Sequence, residues 1–181
     1  GLTKVQSLTA KAGQDITSNH VISSTGLANL TAERSISLAG YGITAGDTTL
    51  TATNGSIGLD GNMAIFQSLT ARAGQDITSK QIVKSYSSAN LTATNGSIDL
   101  NGTTDVQSLM ARAGQDIRLP GTGGTVSTPG DLSLQAGGQL VIPTTAKAGG
   151  SLILSSGAAI QLDTAAADQG DVKIQTSGGS N

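Results

Sequence analysis

Apolar and polar residues alternate in short runs along the whole chain, and these runs recur about every 20 residues. In a typical unit Leu69 and Ala71 flank the polar Thr70, a turn follows around Gly74, and the alternation resumes at Ile77. Alternation with a period of two, with Thr and Ile favoured, is typical of β-strands. Helical spacing of apolar residues is not sustained anywhere, because Gly or β-branched residues interrupt each stretch. The pattern therefore predicts an all-β repeat protein.

Each unit predicts three short strands, separated by turns of Gly, Asn, Asp and Ser, which form one coil of a parallel β-helix. We expect a right-handed β-helix (solenoid) of about nine coils, since strand twist and crossover sterics favour this hand. The apolar residue that begins each unit is expected to stack with its equivalents in one interior column. The members of that column are Leu8, Leu30, Leu50, Leu69, Leu91, Leu109, Leu132, Leu152 and Val172.

A longer repeat is superimposed on the first. Residues 50–57 recur as residues 91–98, and residues 67–77 recur as residues 107–117 with a single Thr-to-Met change. We interpret residues 1–181 as one β-helical segment from the interior of a longer polypeptide, with regular repeats in 1–119 and more degenerate repeats in 120–181. No polar cap is present in residues 1–7 or 172–181, so the isolated segment is expected to associate end to end through its strand edges.

The units Leu-Thr-Ala-x-Ala-Gly-x-Asp-Ile and Leu-Thr-Ala-x-x-Gly-x-Ile resemble the repeats of filamentous haemagglutinin and related giant exoproteins. The resemblance covers essentially the whole chain and is clearest in residues 7–119. It implies a β-helical shaft that a two-partner-secretion transporter exports through the outer membrane, and that is secreted or displayed on the surface of a Gram-negative bacterium. It further implies a role in adhesion and virulence or in contact-dependent growth inhibition, with a host-cell or bacterial receptor as partner.

Composition excludes several other classes of function. A net charge of -2, with 12% charged residues, provides no basic surface for nucleic acid. The apolar runs are too short to cross a bilayer. With no Cys and a single His, the chain cannot form a cysteine or multi-histidine metal site or use thiol catalysis. The Gly-Gly pairs at 123–124, 137–138 and 149–150 lack the Gly-x-Asp of calcium-binding β-rolls, so neither a metal nor a cofactor is predicted.

Charged residues recur at two fixed places in the unit, on either side of a glycine turn. They are Lys11, Arg72 and Arg112, and Asp15, Asp76 and Asp116. They could form an ion- or ligand-binding stripe, or they could simply solubilise the turns. Because their coils are not all adjacent, we expect no continuous ladder and favour exposed pairs worth about 0–1 kcal/mol each.

Other candidate residues have comparably simple interpretations. His20 is expected in a solvated turn. Five Asn-x-Ser/Thr sequences are either glycosylation sites or Asn-Gly and related turn residues: Asn29, Asn54, Asn90, Asn95 and Asn101.

The three aromatic residues, Tyr41, Phe66 and Tyr86, are the remaining candidates. Tyr41 and Tyr86 could belong to an exposed recognition patch, but we favour aromatic rings that cover coil corners or fill the third face.

These observations predict a structural shaft, a rigid spacer that holds a distal functional domain away from the cell. The alternative is a receptor- or glycan-binding module that uses an outer face of the β-helix. A polysaccharide-active enzyme is less favoured, because Asp163, Asp168 and Asp171 have no Arg partner nearby in the sequence and three aromatic residues are too few to line a sugar-chain cleft with platforms. No catalytic residues are predicted.

Overall fold

The computed structural model describes residues 3–40, 43–61, 63–119, 125–143 and 145–178. Within these ranges the regular secondary structure consists of β-strands, without any helix. The strands stack in parallel as a β-helix of about eight turns with three strands per coil. The predicted parallel β-helix is confirmed. The nine predicted repeat units correspond to strands stacked on one face of the β-helix. About eight turns of the β-helix connect these strands.

In chain order the strands are β1 (Thr3–Val5), β2 (Leu8–Ala12), β3 (Ile16–Ser18), β4 (Ile22–Ser24), β5 (Ala28–Ala32), β6 (Ile36–Leu38), β7 (Ile43–Ala52), β8 (Ile57–Gly58), β9 (Met63–Ala73), β10 (Ile77–Ser79), β11 (Ile82–Ala93), β12 (Ile98–Leu100), β13 (Thr104–Ala113), β14 (Ile117–Arg118), β15 (Thr125–Thr128), β16 (Leu132–Ala136), β17 (Leu140–Val141), β18 (Thr145–Ala148), β19 (Leu152–Ser156), β20 (Ile160–Gln161), β21 (Thr164–Ala167) and β22 (Val172–Thr176).

Three faces follow from the strand pairing. Face A contains β2, β5, the second halves of β7, β9, β11 and β13, and then β16, β19 and β22. Face B contains β3, β6, β8, β10, β12, β14, β17 and β20. Face C contains β1, β4 and the first halves of β7, β9, β11 and β13, followed by β15, β18 and β21, which pair among themselves as a separate sheet. The four long strands thus continue around the corner from face C to face A.

Face B contributes one continuous aliphatic column to the interior. Its members are Ile16, Ile36, Ile57, Ile77, Ile98, Ile117, Leu140 and Ile160. From Ile36 to Leu140 these side chains are at most 1% exposed. Burying one such side chain stabilises the fold by about 1.5–3 kcal/mol, so this column is a major part of the core.

Face A corrects the predicted single column of leucines. The register pairs Leu8 with Ala28 and Ala10 with Leu30, so successive leucines can lie two residues apart. The first inward column consists of Leu8, Ala28, Thr48, Leu69, Ala89, Leu109, Leu132, Leu152 and Val172. The second consists of Ala10, Leu30, Leu50, Ala71, Leu91, Ala111, Leu134, Leu154 and Ile174.

Large and small side chains therefore complement each other across the interior. In the first six coils a leucine in one column accompanies a smaller residue in the other. Leu132 and Leu134 then occur in the same coil, and the face C residues that follow them are the fully buried Ala146 and Ala148. A close-packed interior requires the side-chain volume to stay nearly constant from coil to coil, because voids and steric overlaps both destabilise the fold.

Phe66 fills the interior on face C. Its register neighbours are Ala45 on one side and Ser85 on the other, and its side chain is 0% exposed. The prediction that an aromatic ring fills the third face is confirmed for this residue. The small neighbours above and below leave room for the ring.

Buried hydroxyl groups occur where the chain turns between faces. Ser79 Oγ donates to the carbonyl oxygen of Leu59 at 3.0 Å, and Ser156 Oγ donates to that of Gly138 at 2.6 Å. Each bond joins two successive coils. Because a buried hydroxyl without a partner is costly, these bonds make serine compatible with the core at the corners.

Candidate recognition surface

Tyr86 lies in a β-bulge at the corner between faces C and A. β11 carries one more residue than either neighbouring strand here: Ser85 pairs with Phe66 and Ala89 with Leu69. The same irregularity appears against β13, between Ser85 and Ser88. Bulges redirect a side chain relative to the regular sheet. Tyr86 is 58% exposed, in contrast to the buried Phe66 of the preceding coil.

The bulge is held from within the core. Ser85 is 2% exposed, and its Oγ lies 3.1 Å from the carbonyl oxygens of both Gln67 and Ser88. It therefore donates a shared hydrogen bond to the preceding coil and to the far end of the bulge. This arrangement fixes the backbone on which Tyr86 is mounted.

Lys84 is fixed beside the ring. Its Nζ lies 5.3 Å from the centre of the Tyr86 ring and 2.9 Å from Asp105 Oδ2. The hydrogen bond and the charge of Asp105 raise the pKa of Lys84 above its ordinary value. The cation is thus matched by a carboxylate and also contacts the π-face of Tyr86.

A groove runs along the outer surface next to this ring. It has a volume of about 390 Å³ and is lined by Thr25, Thr44, Gly46, Gln67 and Tyr86, among others. The pairing of β4, β7, β9 and β11 stacks these positions in successive coils. Of the two residues considered for a recognition patch, Tyr86 is exposed beside this groove. Tyr41, the other one, lies outside the described residues.

The predicted charged pairs do not form within the described part of the chain. Asp116 is bound by Arg118 at 2.6 Å, and Asp15 lies 3.9 Å from Arg34. Arg72 and Arg112 are exposed and make no ion pair among the described residues. The basic and acidic positions around the glycine turns therefore do not constitute a charged binding stripe.

The charged residues alone form no continuous ladder, as expected, but aspartate and serine together do. From Asp15 to Asp116 a side-chain oxygen in each coil accepts a hydrogen bond from the backbone N–H at the equivalent turn of the next coil, at 2.7–3.3 Å. The acceptors are Asp15, Ser35, Ser56, Asp76, Ser97 and Asp116, and the last N–H belongs to Gln139. We call this series the turn ladder. Serine takes the place of aspartate in the intervening coils, because both residues offer an oxygen at the same position.

The remaining candidates are on the surface. His20 is exposed, as predicted for a turn residue, and hydrogen-bonds through its backbone to Ser18 Oγ. The five sequon asparagines are exposed or partly exposed. Asp168 pairs with Lys147 at 3.1 Å.

Neither a metal centre nor a helical membrane span is found in the described ranges. No group of three or more His, Asp or Glu residues there could hold a metal ion. No helix there is long and apolar enough to cross a membrane.

Comparisons with protein-family models, with curated proteins and with solved structures find no match to this chain. The resemblance to filamentous haemagglutinin repeats therefore rests on the sequence motifs, and function is inferred from the residues of the chain itself.

Proposed function

We propose that this chain is a section of the structural shaft of a large bacterial exoprotein, a rigid spacer that holds a distal adhesive or toxic domain away from the cell. Export by a two-partner-secretion transporter and display on a Gram-negative surface belong to the same proposal.

The observation that supports a spacer is the way in which successive coils are joined. Parallel strand pairing on faces A and B connects each coil to the next, the turn ladder adds hydrogen bonds between coils from Asp15 to Gln139, and the interior is filled by aliphatic columns. At ~4.8 Å per coil, about eight turns correspond to a length of roughly 38 Å. Such a structure supplies length and stiffness from a repeated sequence.

Rigidity can be measured directly between two points on face B. Thr17 and Gln161 are exposed residues in its first and last strands, seven coil steps apart. The chain contains no Cys, so Thr17→Cys and Gln161→Cys provide a unique pair of spin-label sites. Electron–electron double resonance is expected to give a narrow distribution of label-to-label distances, centred at about 34 Å. A broad distribution would contradict the rigid spacer.

The long sequence repeat allows two whole coils to be deleted between equivalent positions of the chain. Removing residues 67–106 joins Phe66 to Gln107, which begins a segment nearly identical to the one that starts at Gln67. The shortened chain is expected to fold, with the same label pair about 10 Å closer, since two coils are lost. Removing residues 67–96 leaves an incomplete coil and is expected to unfold the chain. If the two deletions behaved alike, length would not be set by whole coils.

We also propose that the isolated chain associates end to end. Val172 and Ile174 lie at inward positions of β22, yet they are 47% and 46% exposed because no strand in the described part of the chain covers them. Uncovered strand edges tend to pair with another chain. Sedimentation over a concentration series is expected to show association that Val172→Lys/Ile174→Lys abolishes. A wild-type chain that stays monomeric at every concentration would refute this.

A further inference from the structure

The groove beside Tyr86 is an open depression on the outer surface, large enough for a small ligand. Its volume of about 390 Å³ lies within the range of roughly 300–1,000 Å³ found for small-molecule sites. Tyr86 lies in the last of the successive coils that line it, and Gly46 contributes backbone without a side chain in an earlier coil. A shallow trough with an exposed aromatic residue at one end results.

The ring is held in place before any ligand arrives. The extra residue of the bulge turns Tyr86 outward, and the buried Ser85 hydroxyl fixes the bulge. Lys84 contacts the ring while Asp105 holds its Nζ. Such preorganisation lowers the entropic cost of binding, so even a small contact area can give measurable affinity.

The chemistry of the lining selects the ligand. None of the described lining residues carries a charge, and Lys84, two residues before Tyr86, is already matched by Asp105. The side chains of Thr25, Thr44 and Gln67 make no hydrogen bonds within the described part of the chain. The trough therefore offers neutral donors and acceptors beside a phenol ring.

We propose that this groove binds a neutral saccharide. A sugar ring combines hydroxyl groups, which match Thr25, Thr44 and Gln67, with an apolar C–H face, which stacks on the exposed aromatic ring of Tyr86. An anionic ligand would find no unpaired cation among the described lining residues. An apolar helix would leave the polar lining groups without partners. The site adds a recognition function to the shaft and does not depend on the spacer role.

The experiment is a titration of the isotope-labelled chain with cellobiose, maltose and lactose, followed by NMR. Glucuronate serves as a small anionic comparison. Saturable shifts of the Tyr86 ring and the Gln67 side-chain amide are expected with at least one neutral disaccharide. No saturable shift with any of the three would overturn the proposal, as would stronger binding of glucuronate.

Variants of the exposed ring separate stacking from other contacts. Tyr86→Ala is expected to weaken binding by about tenfold or more, whereas Tyr86→Phe keeps most of the affinity because the ring remains. Met110→Ala, an exposed substitution on the outside of face A, serves as the control with unchanged affinity. Circular dichroism establishes that each variant is folded. Unchanged binding in Tyr86→Ala would refute the assignment, while the label-to-label distance that tests the spacer would remain unaffected.

Discussion

Leu91→Ala tests the corrected packing of face A. Leu91 is 2% exposed, and its neighbours in the second inward column are Ala71 and Ala111. Ala89 and Ala93 flank it along β11 and are also buried. Every nearest inward neighbour on this face is thus an alanine, whose Cβ cannot extend into vacated space. The cavity should therefore persist after truncation.

The expected loss can be worked out from the atoms removed. Three carbon atoms at ~0.8 kcal/mol each account for about 2.4 kcal/mol of transfer free energy. The uncollapsed cavity adds to this, and leucine-to-alanine changes in cores cost roughly 2–5 kcal/mol in total. We expect the free energy of unfolding to fall by about 3–4 kcal/mol. Met110→Ala, on the outside of the next coil and 44% exposed, should change it by no more than about 0.5 kcal/mol.

Urea unfolding followed by circular dichroism measures both variants, with the slopes compared because a repeat protein can lose cooperativity. Amide hydrogen exchange then locates the weakened region, which should be the coils next to Leu91. A loss below about 1 kcal/mol for Leu91→Ala, or equal losses for Leu91→Ala and Met110→Ala, would refute the inward register of Leu91.

Substitutions at three further positions address other parts of the molecule. Asp76→Ala removes the acceptor for the Ser97 N–H and should speed exchange of that amide at a cost of about 1–2 kcal/mol, whereas Asp76→Asn keeps an oxygen and should be milder; equal exchange rates in the two variants would contradict the ladder. Phe66→Ala should cost about 3–5 kcal/mol in urea unfolding. Asp105→Asn should lower the pKa of Lys84 in an NMR titration. Because the folded-state pKa of Lys84 is raised, its stabilising contribution is present below its ordinary value of 10.5 and is lost as the pH rises through the folded pKa. An unchanged titration midpoint in Asp105→Asn would be evidence against this.

Periodicity predicts the strands and the coil well, but it does not predict the column in which each leucine lies. Alternation assigned Leu30 and Leu50 correctly to the interior. A shift of two residues leaves a side chain on the same side of the strand, so alternation cannot distinguish the two inward columns. The motif Leu-Thr-Ala aligns leucine with leucine, whereas the structure pairs Leu50 with Ala71. The deciding factor is the volume available across the interior, which depends on all three faces.

The candidate sites are likewise only partly predictable from the sequence. The sequence marks the aspartates at the glycine turns by their charge, but it does not mark Ser35, Ser56 and Ser97 as their equivalents, because the shared property is an oxygen acceptor. Tyr86 was identified as a candidate by its rarity. Its exposure depends on a bulge, and one extra residue in a run of Ser and Tyr has no distinctive sequence signal.

The paired use of leucine and alanine has a consequence for how such a chain can lengthen during evolution. From the coil of Leu50 to that of Leu109 the leucine alternates between the two inward columns, and copying a single coil there would interrupt this alternation. Copying two coils transfers a complementary pair intact, and its ends already fit their new neighbours. The near-identity of residues 50–57 with 91–98, and of 67–77 with 107–117, is a duplication on this two-coil scale. Genetic recombination can therefore extend this β-helix in units that need no compensating substitutions.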